Sequence, residues 1–133
     1  MHKPVLFLTF NRFDTTKQVF AEICKYKPPR LYVASDGPRD SCCEESEVVS
    51  AIREYIISNI NWCCELKTLF RDKNLGCKDA VSSAIDWFFA HEEMGIILED
   101  DCLPSPSFFA YCEELLEKYK DDNRIYLISG YNK

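Results

Sequence analysis

Glycine is scarce in this chain, at 4 of 133 residues, and none of the four stands in a phosphate-binding signature. No G-x-G-x-x-G follows the first apolar run, which disfavours a dinucleotide-binding Rossmann domain; no G-x-x-x-x-G-K-[ST] occurs, which removes the P-loop. Histidine is scarcer still. His2 is terminal, and His91 falls at the end of a predicted helix, where it complements the dipole, so neither supports a Ser-His-Asp or Cys-His arrangement. Positive charge is in deficit, with 16 Lys and Arg against 22 Asp and Glu and a net charge of −6. That argues against a nucleic-acid backbone as partner but leaves a phosphate ligand open, because a metal ion can mediate it. No apolar run approaches the ~20 residues of a membrane span. The N-terminal run is short and flows into Asn11-Arg12 without a small-residue cleavage site, so no signal peptide is read and the expected compartment is the cytoplasm.

Cysteine is plentiful, at 8 residues, but Cys-x-x-Cys spacing is absent and the two Cys-Cys pairs are poor chelates. Without a secretory signal a disulfide framework is disfavoured. Cys24, Cys64 and Cys112 occupy apolar positions of predicted elements, where a reduced thiol acts as a small hydrophobe.

The length fits one domain, and 47% hydrophobic residues with 14% aromatics suffice for a core. Val5 to Phe10 and Leu31 to Ala34 are apolar runs without alternation, read as buried strands of a parallel sheet. Ile96-Ile97-Leu98 reads the same way, buried on both faces. Cys64 to Arg71 alternates and reads as a half-exposed strand near an edge. Ile125 to Ser129 reads as a fifth strand. Helical periodicity predicts helices from Asp14, as N-cap, to about Tyr26, over about Glu47 to Asn59, from beyond Gly76 to about His91, and from Ser105-Pro106 to about Tyr119. The order βαβαβαβαβ implies a three-layer α/β/α sandwich with a mostly parallel sheet. The chain stops four residues after the fifth predicted strand, as the N-terminal half of a larger, truncated domain would.

Chemistry is expected at the carboxyl ends of the strands, where open α/β sheets bind ligands. Three loops meet there. Asn11-Arg12 follows the first strand, and the Arg12 fork suits a phosphate. Ser35-Asp36-Gly37 follows the second, with Asp36 able to accept hydrogen bonds from a base or sugar. Glu99-Asp100-Asp101 follows the strand Ile96-Ile97-Leu98; three adjacent carboxylates repel one another and call for a cation, and oxygen ligands suit Mn²⁺ or Mg²⁺.

These segments resemble a family. Val5-Leu-Phe-Leu-Thr-Phe-Asn-Arg12, Ser35-Asp-Gly37, Asn74-Leu-Gly76 with Ala80 beyond, and Ile97-Leu-Glu-Asp-Asp101 look like the nucleotide-sugar-binding half of a GT-A glycosyltransferase. The likeness is greatest to the N-acetylglucosaminyltransferase I-like group, whose Glu-Asp-Asp triplet precedes a Pro-x-Phe-Phe-x-Tyr helix; Ser107-Phe108-Phe109-Ala110-Tyr111 follows Pro106 here. Ser129-Gly130-Tyr131-Asn132 resembles that group's Ser-x-Tyr/Trp-Asn segment. The resemblance implies that residues 1–133 bind a nucleotide-sugar, typically a UDP-sugar. Asp101 would ligate Mn²⁺ or Mg²⁺ on the diphosphate. Glu99 and Asp100 would contact ribose or sugar or orient Asp101, and Asp36 would meet the base. Arg12, with Asn11, would lie near the diphosphate. The implied reaction is glycosyl transfer to a glycan, lipid or protein acceptor. In that group the acceptor pocket and catalytic base lie in a second half, so donor binding rather than unaided transfer is implied for this chain.

Two other readings stay open. A receiver-like, non-enzymatic module with a divalent ion would carry its acid pair after the first strand, where Asn11-Arg12 stands. A nucleotidyltransferase would carry a Gly-rich basic loop there. An open sheet edge would allow a homo-oligomer.

Overall fold

The computed structural model describes residues 2–41 and 43–130. Its elements alternate: β1 (Val5–Thr9), α1 (Phe13–Tyr26), β2 (Arg30–Ser35), α2 (Cys43–Ser58), β3 (Glu65–Phe70), α3 (Cys77–Phe89), β4 (Ile96–Glu99) and α4 (Phe108–Lys118). The four strands form one sheet in the order β3-β2-β1-β4, and every pairing is parallel.

The continuous apolar runs dictate the centre of this sheet. All five residues of β1 are buried, as are Leu31 to Ser35 of β2, because both strands have a neighbour on each side and helices on each face. Side chains alternate across the pleat. Val5, Phe7, Leu31, Val33, Ile96 and Leu98 face α1, α2 and α4, whose Val19, Phe20, Ile23, Ile52, Ile56 and Phe109 complete one core. Leu6, Leu8, Tyr32 and Ala34 face the other way, against Ala84 and Phe88 of α3. The molecule is therefore a three-layer α/β sandwich with α3 on one face and the other helices opposite. Right-handed crossovers give this placement: α1 and α2 connect strands stepping one way along the sheet, and α3 spans the step back from β3 to β4.

β3 is an edge strand with none of its residues fully buried, as its alternation predicts. β4 is the other edge among the described residues. This qualifies the reading of Ile96-Ile97-Leu98 as buried on both faces: Ile96 and Leu98 are buried, but Ile97 is half-buried on the more thinly covered α3 side. The fifth strand does not form. Residues 125–130 have no strand structure; Tyr126 is 94% and Leu127 81% exposed. Residues 125–130 line an apolar groove with Phe89, Ile97, Phe108 and Leu116 but join none of the sheet's strands, and β-forming composition without a ladder does not make a strand.

Three helix starts also differ from the periodicity reading. Arg12, not Asp14, is the N-cap of α1, and Asp14 sits in the first turn, where an acid complements the dipole. α2 begins at Cys43, four residues before Glu47. α4 begins at Phe108 with Ser107 at the N-cap, because the Phe108 amide closes a turn on Ser105 O at 3.0 Å. α1 ends as expected before Pro28: Lys27 adopts φ 55° and its N–H bonds to Ile23 O at 2.9 Å. The seven described cysteines are free, and Cys24, Cys64 and Cys112 pack against the core. No helix of the described residues is long and apolar enough to cross a membrane.

Candidate functional site

The strands end in line: Leu8 of β1 pairs with Glu99 of β4, Thr9 with Ser35, and Ser35 with Phe70. The chain leaves β1 and β2 toward one face and β3 toward the other, and a cleft of about 720 Å³ opens between these departures. Its lining includes Asn11, Arg12, Asp36, Glu99, Asp100 and Asp101, together with Arg39, Arg71, Asn74, Gly76 and apolar Leu8, Ala34, Leu69 and Val81. The six residues marked from the sequence thus share one concavity.

Within the acidic triplet the carboxylates divide. Asp100 turns toward β1, where its Oδ2 accepts the Phe10 N–H at 3.1 Å. Burial there pushes its carboxyl above the ordinary carboxylate range, and neighbouring Asp101 and Glu99 add to the rise against the opposing Phe10 N–H and Arg12. Asp101 faces out and pairs with Arg12, Nη1 to Oδ2 3.1 Å, both partly open to water. Glu99, Asp101 and Cys102 are exposed and bring ligand atoms within 4.8 Å of one another. Burial, then the hydrogen bond to Asp101, pushes the Cys102 thiol up, and its soft sulfur is poorly matched to a hard divalent cation. The donors left are two carboxylates, a set that fits Mg²⁺ or Mn²⁺.

Asp36 is 8% exposed and already engaged. Its Oδ1 accepts from Gly37 N (2.8 Å) and Leu75 N (2.9 Å), and its Oδ2 from Asn74 Nδ2 (3.1 Å) and Gly76 N (3.2 Å). Four donors saturate a carboxylate. Asp36 therefore clasps the β3–α3 loop over the end of β2. Gly37 permits the closeness: a Cβ there would lie 2.4 Å from the Lys73 carbonyl carbon. Gly76, at φ 87°, turns the chain into α3.

Asn11 is anchored from behind. Its Nδ2 donates to Glu45 Oε2 at 2.9 Å, and Glu45 is buried beneath Arg39, which reaches it through Nε (3.0 Å) and Nη2 (2.6 Å). The Arg39 hydrogen bonds hold the Glu45 carboxyl down at about 2.

Several of these residues carried no usable signal. Arg53 of α2 donates to Ser35 Oγ (2.9 Å) and to the carbonyls of Ser35 (3.3 Å), Asp36 (3.2 Å) and Arg71 (2.7 Å). Arg71 lines the cleft and donates to Ser83 Oγ at 3.2 Å, without a carboxylate partner among the described residues. The spacing of Asn74 and Gly76 after the third strand was visible, but not their bonds to Asp36. Tyr131 and Asn132 lie outside the described residues.

Comparison with protein-family models, with curated proteins and with solved structures returned no match in any of the three.

Proposed function

We propose that this cleft binds a nucleotide-sugar, a UDP-sugar in the first instance, as the donor-binding half of a GT-A-like glycosyltransferase. The observation that carries the reading is the convergence of an outward-facing carboxylate pair, Glu99 and Asp101, with the guanidinium of Arg12 at the carboxyl edge of an all-parallel sheet. Carboxylates that hold a divalent ion and a planar cation beside them are complementary to a diphosphate. The apolar floor of Leu8, Ala34, Leu69 and Val81 offers a surface for a base.

Each residue then has a part. Asp101, with Glu99, holds Mn²⁺ or Mg²⁺, which when bound offsets the negative charge that grows on the departing diphosphate. Arg12 and Arg71 approach phosphate oxygens from the two walls. Asn11, fixed by Glu45, orients the β1 loop. Asp100 fixes the acidic turn against Phe10. Asp36 acts on the base pocket by holding its wall, the Asn74–Gly76 loop, in place. No catalytic base is assigned, since Glu99 and Asp100 lie on the donor side. The acceptor, a glycan, lipid or protein, is met by another surface.

Calorimetric titration of UDP and a panel of UDP-sugars, with and without Mn²⁺, on the wild-type chain and Asp101→Ala tests this. Binding that needs Mn²⁺ and is lost in the variant is expected. A folded chain that binds no nucleotide in either condition removes the reading.

A further inference from the structure

Arg12 and Asp101 are brought together by two backbones that are each pinned, while their side chains meet in partly solvent-exposed surroundings. The Arg12 carbonyl accepts the Thr16 amide at 3.0 Å and the hydroxyls of Thr15 and Thr16, which fixes the N-cap of α1. The acidic turn is fixed by Asp100 on the Phe10 amide and by Cys102 N on Glu99 O at 3.4 Å. Beyond these anchors the Arg12 and Asp101 side chains are 60% and 43% exposed. Both Asp101 oxygens are in use: Oδ2 takes Arg12, and Oδ1 takes the Cys102 thiol at 3.5 Å. A divalent ion at Asp101 would meet the Arg12 guanidinium held 3.1 Å from Oδ2, so two positive charges compete for one carboxylate. An exposed ion pair is also weak, at most about 1 kcal/mol, so the partner is readily given up.

We infer that Arg12 is a displaceable latch on Asp101: it covers the carboxylate while the cleft is empty, and leaves it for phosphate when a divalent cation takes Asp101. This rests on the donor-site reading above and adds its regulation. The consequence is coupling. A cation that displaces Arg12 frees a guanidinium for the diphosphate; a diphosphate that draws Arg12 away uncovers Asp101 for the cation. By linkage each raises the other's affinity by the same factor. The latch also offsets the mutual repulsion of Glu99, Asp100 and Asp101 in the empty protein, so the site need not hold a cation to stay folded.

Two measurements on the full chain decide this. Mn²⁺ binding is followed by electron paramagnetic resonance, with and without UDP, for the wild type, Arg12→Gln, Arg12→Lys and Asp101→Asn. With Mn²⁺ alone, Arg12→Gln is expected to bind about two- to fivefold more tightly than wild type, the span set by an exposed pair. Arg12→Lys, which keeps an ion pair, stays near wild type, and Asp101→Asn binds more weakly. UDP tightens Mn²⁺ binding less in Arg12→Gln than in wild type. The second measurement separates displacement from simple loss of a nearby positive charge: Mg²⁺ is titrated into chain carrying ¹⁵N-arginine, and the Arg12 Nε–H signal, assigned by its absence in Arg12→Lys, moves toward that of a free side chain as the site fills. Arg12→Gln binding Mn²⁺ no better than wild type, an unmoved Arg12 signal at Mg²⁺ saturation, or undiminished binding in Asp101→Asn overturns the latch. Mn²⁺ alone behaving as expected with no UDP binding keeps the latch and removes the donor reading. UDP binding that needs Mn²⁺, with an indifferent Arg12→Gln, does the reverse.

Discussion

The Asp100 carboxylate and the Phe10 amide meet at 3.1 Å across the carboxyl edge of the sheet, one strand apart. This contact turns Asp100 away from its neighbours and leaves Glu99 and Asp101 facing outward. Burial at this position, which the hydrogen bond only partly offsets, makes Asp100 costly as an anion. Its carboxyl is raised, chiefly by burial, so the folded protein holds that proton more firmly than the unfolded chain does. Stability from this group is therefore present below the ordinary value of 3.8 and falls as pH rises through the raised folded value. Asp100→Asn keeps an acceptor for Phe10 and removes the ionisation. It should match or exceed wild type in urea unfolding at pH 7 and flatten this part of the pH profile. Asp100→Ala should lose about 1–3 kcal/mol, because the Phe10 N–H is left without its partner. A variant order with Ala at least as stable as Asn at pH 7 would contradict the contact.

Asp36 carries a structural load that a base-binding role alone would not predict. Replacing it with Ala strips acceptors from Leu75 N, Gly76 N and Asn74 Nδ2 together. With a cost of about 1–3 kcal/mol for each buried donor left unpaired, Asp36→Ala should lower unfolding free energy by at least about 2 kcal/mol. Amide exchange of Leu75 and Gly76 should accelerate ahead of amides in β1. If Asp36→Ala unfolds at the wild-type urea midpoint and those amides stay protected, the clasp is wrong.

Glu45 gives the site an acid-sensitive support. Arg39 holds its carboxyl at about 2, below the ordinary 4.5. A depressed carboxyl contributes stability above its unfolded value and loses it as pH falls, here from 4.5 toward 2. Melting temperatures of wild type and Glu45→Gln measured from pH 7 to pH 2.5 should differ most near neutrality and converge on acidification. Parallel curves across that range would show that the carboxylate charge is not what holds Arg39 and Asn11.

What was legible in the sequence follows from local physics. Val5 to Phe10 and Leu31 to Ala34 are apolar without alternation, so they read as buried strands, and the alternation of Cys64 to Arg71 marked an edge; β1, β2 and β3 fall on these three runs. The acids at 99–101 lay just past an apolar run, which fixed them at the sheet's carboxyl edge. What was not legible depends on contacts distant in sequence. Asp36 is saturated by a loop 38 to 40 residues away, and Ile125 to Ile128 has strand composition but no ladder to join. Which acid of the triplet faces inward was hidden too, because it depends on the Phe10 amide rather than on spacing.

Arg53 likewise acts through contacts that its place in the sequence does not announce, and it yields a sharp expectation. The guanidinium lies over the Phe70 ring, 4.9 Å from the centroid, and reaches three carbonyls at the ends of β2 and β3. Burial pulls its pKa below the usual arginine value, with Asp72 and Asp36 opposing, but an arginine stays charged throughout the range where proteins fold. Hydrogen bonds from a charged donor contribute about 1.5–3 kcal/mol, and no other residue type offers a planar fork of this reach. Arg53→Met should retain contact with Phe70 yet cost about 2–3 kcal/mol in urea unfolding. Arg53→Lys should fall between, since one ammonium cannot span Ser35, Asp36 and Arg71 together. The loss should be local as well as global: the Arg71 amide, bonded to Ser35 O at 3.0 Å, should exchange faster in Arg53→Met than amides of α1. A change below about 0.5 kcal/mol, the range of an ordinary surface substitution, would show that these hydrogen bonds do not hold the ends of β2 and β3.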